Sequence, residues 1–140
     1  ALIYRGAYVN AVDNQLTSVL MYATMRADVP TVEMLLDRGA PVNARNEFGR
    51  TALWYACNRG DLALIKLLVF RGADASVKAN DNSTALIQSL QWDDVSMVRT
   101  LVEDAGALKG LDPAVKVKLQ KIIQKSSPEI RNIIERNLPA

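Results

Sequence analysis

The triplet Arg-Gly-Ala stands at 5–7, 38–40 and 71–73, each 33 residues after the one before. Many other positions keep the same offset. Ser18, Thr51 and Thr84 form one column, and Leu20, Leu53 and Leu86 another. Ala23, Ala56 and Ser89 follow, then Asp28, Asp61 and Asp94. Val29, Leu62 and Val95, then Val32, Ile65 and Val98, then Leu35, Leu68 and Leu101 complete the pattern. A period of this length means stacked copies of one small unit, and no other property of the chain restricts its fold so tightly.

Each column has a physical reading. A hydroxyl at 18, 51 and 84 can accept a free backbone N–H at a helix start. Leu and Ala three residues apart mark the buried side of a short first helix. Asp28, Asp61 and Asp94 cap a second helix, whose positive end also favours a carboxylate. Leu62, Ile65, Leu68 and Val69 give that helix an amphipathic stripe. Gly6, Gly39 and Gly72 stop it, because glycine takes the left-handed conformation cheaply. The polar stretch Arg45-Asn46-Glu47-Phe48-Gly49 reads as a turn. The unit is helix, turn, helix, glycine stop, long turn.

The middle unit runs from Gly49-Arg50-Thr51-Ala52-Leu53-Trp54-Tyr55-Ala56 through Gly60-Asp61 to Arg71-Gly72-Ala73-Asp74. In motif and period together it resembles an ankyrin repeat. The resemblance spans residues 1–106: a partial unit at 1–13, with residues 1–4 as the end of a second helix, then about three repeats. It implies an all-α ankyrin-repeat solenoid. Two departures stand out. The family's proline is replaced by Val19, Ala52 and Ala85, and its histidine by Met21, Trp54 and Ile87, in a chain with no histidine. The histidine's hydrogen bonds to the neighbouring turn must then be lost or replaced, and more apolar contact between repeats is expected there. The third unit ends Glu103-Asp104-Ala105-Gly106-Ala107, with its glycine displaced by one residue.

Residues 107–140 read differently. Asp112-Pro113 and Ser127-Pro128 are helix starts. Val115, Leu119, Ile122 and Ile123 make one apolar stripe, and Ile130, Ile133, Ile134 and Leu138 another. A divergent C-terminal helical cap is expected, since a solenoid needs an end unit with a polar outer face. The alternative is a basic docking helix for an acidic partner or membrane surface through Lys116, Lys118, Lys121 and Lys125. Charge favours neither outright. Residues 1–106 carry ten Lys/Arg and twelve Asp/Glu (net −2), and residues 107–140 carry seven and three (net +4). The overall +2 is too small to announce nucleic acid.

No catalytic constellation emerges, and no cofactor or metal motif. A nucleophile with a histidine base is impossible here, and one cysteine without histidine cannot build a zinc site. Cys57 reads as a small residue packed near the core. Asp94 reads as a helix cap, with Asp93 in the turn position of Gly60. Asn10 and Asn43 resemble the family's turn asparagine, a turn-stabilising residue and in some members a hydroxylation site. The single cysteine suits a reducing, cytoplasmic compartment, and no apolar run approaches the ~20 residues that span a bilayer.

The family builds its concave binding face from turn tips and the exposed side of the first helix. By alignment, the first repeat contributes Asn14, Gln15, Thr17, Met25 and Arg26. The second contributes Glu47, Phe48, Arg50, Asn58 and Arg59. The third contributes Asn80, Asp81, Ser83, Gln91 and Trp92. Of these, Arg26, Glu47, Phe48, Arg50, Asn58, Arg59, Asp81, Gln91 and Trp92 are the expected partner-binding residues, since aromatics and arginine dominate binding hot spots. Phe48 packing on the adjacent turn, and Trp92 folding back over the third turn, are the structural alternatives. Phe70 is a further oddity, at a place held by Asp37 and Glu103 in the other repeats. The expected function is protein binding on the concave face. The alternatives are a targeting or scaffold piece of a larger enzyme or effector, which a start inside a repeat suggests, and anionic-surface binding through the lysine-rich helix.

Overall fold

The computed structural model describes residues 9–138. Arg5-Gly6-Ala7 and the second-helix end expected at 1–4 lie outside the described residues. Eight α-helices follow: α1 (Val19–Met25), α2 (Val29–Asp37), α3 (Ala52–Arg59), α4 (Leu62–Phe70), α5 (Ala85–Ser89), α6 (Val95–Arg99), α7 (Pro113–Ile123) and α8 (Pro128–Asn137). A 3₁₀ turn (Leu90–Trp92) extends α5, and a π-helical turn (Thr100–Asp104) extends α6. The all-α solenoid is thus the observed architecture.

The helices start where the capping columns require. Ser18, Thr51 and Thr84 accept the N–H groups of Met21, Trp54 and Ile87 at 3.1, 3.2 and 3.3 Å. Asp28, Asp61 and Asp94 accept those of Thr31, Leu64 and Met97 at 3.3, 3.2 and 3.2 Å. Each bond satisfies an N–H that the first turn leaves free. Between paired helices the chain reverses through a left-handed residue, held by Ala27 (φ 55°), Gly60 (φ 78°) and Asp93 (φ 48°).

The columns also set the core. Leu20, Leu53 and Leu86, with Val32, Ile65 and Val98 and with Leu35, Leu68 and Leu101, are all buried. Each buried Leu or Ile stabilises the stack by roughly 1.5–3 kcal/mol relative to exposure. α3 packs between α1 and α5, and α4 against α6. Cys57 is fully buried in this layer, and burial pushes its thiol pKa up, away from thiolate chemistry.

The displaced glycine of the third repeat has a local explanation. Ala40 N–H bonds the Leu35 carbonyl and Ala73 N–H bonds the Leu68 carbonyl, each five residues back at 2.9 Å. In the third repeat Ala107 N–H bonds the Leu101 carbonyl, six residues back at 3.0 Å. The added residue is absorbed as the π-helical turn, the usual form of a single insertion in a helix.

α8 packs on α6 and the π-helical turn, with Ile130, Ile133 and Ile134 buried. Asp112 caps α7 by accepting Ala114 N–H at 2.8 Å. Ser127 makes no such cap with its side chain; its own N–H is bonded by Asp93 at 3.1 Å.

Ala27 holds a conformation that costs a side-chain-bearing residue about 1–2 kcal/mol. Ala27→Gly should therefore raise the unfolding free energy by roughly 0.5–1 kcal/mol after glycine's entropy is charged against it, as read from urea denaturation. A lower unfolding free energy would mean that the Ala27 methyl contact outweighs the relief.

Candidate functional site

The turns between repeats form fingers that bond tip to tip. Glu47 N–H donates to the Gln15 carbonyl at 2.9 Å, and Asn80 N–H to the Phe48 carbonyl at 3.0 Å. Gln15, Phe48 and Asp81 are one column, and the next carbonyl, that of Asp81, accepts Lys118 Nζ at 3.2 Å. An ammonium on α7 thus takes the place that a further finger's N–H would fill. Asn43 links the turns lower down: its amide donates to the Gly72 carbonyl at 3.1 Å and its oxygen accepts Asp74 N–H at 2.8 Å. It holds turns together, the turn-stabilising role that its resemblance to a family asparagine implied.

Each finger is also tied to its own first helix. Asn46 is buried; its Oδ1 accepts the N–H groups of Phe48 and Arg50, and its Nδ2 donates to the Tyr55 hydroxyl at 2.7 Å. One period earlier, Asp13 accepts the N–H groups of Gln15 and Thr17 and the Tyr22 hydroxyl. The Tyr22 hydroxyl bond, followed by the Thr17 N–H, holds the Asp13 carboxyl below the usual carboxylate range, and Tyr22 is correspondingly raised. These two tyrosines, one exposed and one half-buried, were missed among the expected site residues. The signal was present: Tyr22 and Tyr55 share a column one helical turn before Met25 and Asn58, and their partners Asp13 and Asn46 share another.

Arg50 lies at the centre of the face. Its Cζ is 4.1 Å from the centroid of the Trp54 ring, 5.3 Å from Phe48 and 5.9 Å from Tyr55. Its guanidinium makes no hydrogen bond among the described residues, whereas a guanidinium offers five donors in a planar fork. Phe48 is exposed beside it. Asn58, on the next turn of α3, accepts the Gln88 amide at 2.8 Å and, more distantly, that of Gln91. Glu47 and Gln91 are exposed, as is Asp81. The Ser83 hydroxyl and then its N–H lower the Asp81 carboxyl pKa against the opposing effect of partial burial, and the charges of Lys118 and Arg50 add to this.

Other expected residues serve the stack. Thr17 (5% exposed) and Ser83 (2%) are not part of an open face. Ser83 Oγ accepts the Trp54 indole N–H at 2.9 Å. The bond from this column to the next turn is thus kept by Trp54, while Met21 and Ile87 are buried apolar contacts. Arg59 donates to the Met25 carbonyl at 3.0 Å. Trp92, in the same column, donates its indole N–H to the Cys57 carbonyl at 3.0 Å. Both reach back to the end of the preceding repeat's first helix. The Trp92 ring lies over Gly60, where a Cβ would come within 2.6 Å of it, yet 47% of the residue stays exposed. Arg26, one repeat before Arg59 in the same column, is exposed.

Beyond Gln91 the face continues as a groove of ≈ 660 Å³ between α5 and α7, with Ile87, Leu90 and Ile122 in its walls and Asp93, Lys121 and Lys125 beside them. Lys116 is half-buried and Lys118 is held by the Asp81 carbonyl, so the four lysines do not form one free stripe.

Trp54→Phe should cost about 1 kcal/mol by removing the indole bond, measured by urea denaturation. A cost near zero would mean that this bond does not hold the repeats together. The Asp81 carboxylate, depressed in the folded chain, contributes stability that is complete above its ordinary value of 3.8 and is lost as pH falls through its lower folded value. Asp81→Asn should accordingly show a smaller loss of stability between neutral pH and pH ~3 than the native chain; equal losses would contradict that assignment.

No helix among the described residues is long and apolar enough to cross a membrane. A search of curated proteins returned no match. A family model described as ankyrin repeats (3 copies) matches residues 20–113. With the finger ladder, the paired caps and the 33-residue columns, that match means the chain belongs to the ankyrin-repeat family, whose repeats are in general protein–protein interaction modules and typically not enzymes.

Proposed function

We propose that this chain binds a partner protein on its concave face, with Phe48, Arg50 and Asn58 at the centre and Glu47, Asp81 and Gln91 around them. One observation carries the reading. The Arg50 guanidinium carbon lies over the Trp54 ring, 4.1 Å from its centroid, beside an exposed Phe48, with a hydrogen-bonding fork that no residue of the described chain uses. A stacked guanidinium loses little freedom on binding and suits a carboxylate in bidentate geometry. The adjoining groove, with apolar walls and two lysines against the single carboxylate of Asp93, favours the same class of partner: an acidic, amphipathic segment. Arg59 and Trp92 border this surface while holding the repeats together, and Arg26 lies at its first-repeat end.

The same reading divides the chain into repeats over 1–106 and a closing pair of helices over 107–140. Lys118 on the Asp81 carbonyl and α8 against α6 support that division.

The test compares partner capture by the native chain, a Phe48→Ala/Arg50→Ala variant and a Phe70→Ala variant, each confirmed folded by circular dichroism. The concave variant should bind at least about thirtyfold more weakly, from a loss of ~2 kcal/mol or more, and the Phe70 variant should bind normally. Undiminished binding by the concave variant would refute the placement.

A further inference from the structure

Two departures of this chain from its own repeat meet on the convex back. The first is Phe70, which stands in the column of Asp37 and Glu103 and is 86% exposed. The second is the inserted residue of the third repeat, absorbed as the π-helical turn Thr100–Asp104. Both ends of that turn, with Lys66, Val69 and Phe70, line one hollow of ≈ 450 Å³. Helix α4 adds a third observation. Lys66 is its only polar residue, and a helix apolar on every side is expected inside a core. Here its inner residues Leu64, Ile65 and Leu68 are buried, while Ala63 and Phe70 are exposed.

We propose that this face is a self-association surface, which pairs with the same face of a second copy of the chain. A two-fold contact needs a surface complementary to itself. Phe70 supplies a projection directly beside a hollow, so two copies related by a two-fold axis can each insert Phe70 into the other. The charges follow the same rule. Lys66 and Asp104 are opposite in sign and line the same hollow. The two-fold reverses their order, and each Lys66 then meets the partner's Asp104. A peptide of uniform charge would set a like charge against one of these two groups. Neighbouring Arg99 and Glu103 already balance each other at 3.5 Å, so no net charge opposes the approach. A contact built on one aromatic ring and two short helix faces lies at the small end for specific interfaces, so a dissociation constant in the micromolar range is expected.

Sedimentation equilibrium of the native chain, from low micromolar to near-millimolar concentration, tests this. The native chain should pass from monomer to dimer, and Phe70→Asp should remain monomeric while keeping its native circular dichroism. Lys66→Asp and Asp104→Lys should each weaken the dimer at least tenfold, and the two together should restore it, which loss of a purely apolar contact would not predict. A native chain monomeric throughout would overturn the proposal. So would a Phe70→Asp chain that dimerises like the native one, or a double variant no better than the singles. Because Phe70 lies outside the concave surface, these results stand independently of partner capture by Phe48 and Arg50.

Discussion

Each helix pair in this chain has an apolar side that it cannot cover alone, and the structure follows from covering it with the next pair. Leu20, Leu53 and Leu86 are buried because a neighbour stands at each interval, and the same holds for Leu35, Leu68 and Leu101. Apolar burial is not directional, however, and would tolerate sliding between repeats. The register comes from bonds that cross from one repeat to the next. Glu47 to Gln15, Asn80 to Phe48 and Arg45 to the Lys78 carbonyl each join equivalent or nearly equivalent places one period apart. Burial supplies most of the free energy, and the ladder decides which residues face one another.

That division explains why the candidate surface is rigid at its centre. Arg50 could sample many rotamers on an ordinary loop. Here its backbone N–H is fixed by Asn46, Asn46 is fixed by Tyr55, and its guanidinium rests on Trp54, which is tied to Ser83 of the following repeat. Asn46, Trp54 and Ser83 in that chain of contacts are buried, and its last link crosses between repeats. A partner would meet a surface whose ordering cost was met during folding, the condition under which a few contacts yield useful affinity.

The sequence made the repeat, the caps and the glycine stops at Gly39 (φ 88°) and Gly72 (φ 95°) legible because each depends on local chemistry: a hydroxyl or carboxylate three residues before a free N–H, or a glycine at positive φ; the left-handed Ala27 and Asp93 carry no such signal. The outward-facing residues were legible only in part. Phe48, Arg50 and Asn58 came out by alignment, yet Thr17 and Ser83 turned out buried, and Arg59 and Trp92 reach back to carbonyls of the preceding repeat. Such contacts depend on how far a long side chain extends across a repeat boundary, which period alone does not encode. The replacement of the family histidine by Trp54 shows this well. Its loss suggested apolar contact, but an indole carries an N–H of its own, and Ser83 lies within reach of it. The tyrosine pairs were a different case. Tyr22 with Asp13 and Tyr55 with Asn46 change together in the third repeat, to Gln88 and Ala79, so comparison between the chain's own repeats contained the link.

In a stack of near-identical units, departures from the shared pattern are more informative than agreement with it. Most columns are constrained by burial or capping, so a substitution there must be accommodated by something nearby. The inserted residue shows how. It sits at the end of an outer helix, where one side of the chain faces solvent and a π-helical turn can bulge outward while Leu101 and Val102 stay buried. An insertion in α3, between two packed neighbours, would have shifted the ladder on both sides. Phe70 occupies the same outer layer and answers no demand of the stack, since the two other repeats manage with acidic residues in its place. A large apolar side chain that folding does not require, placed beside a hollow that an insertion helped to shape, is most economically explained by a contact outside the chain.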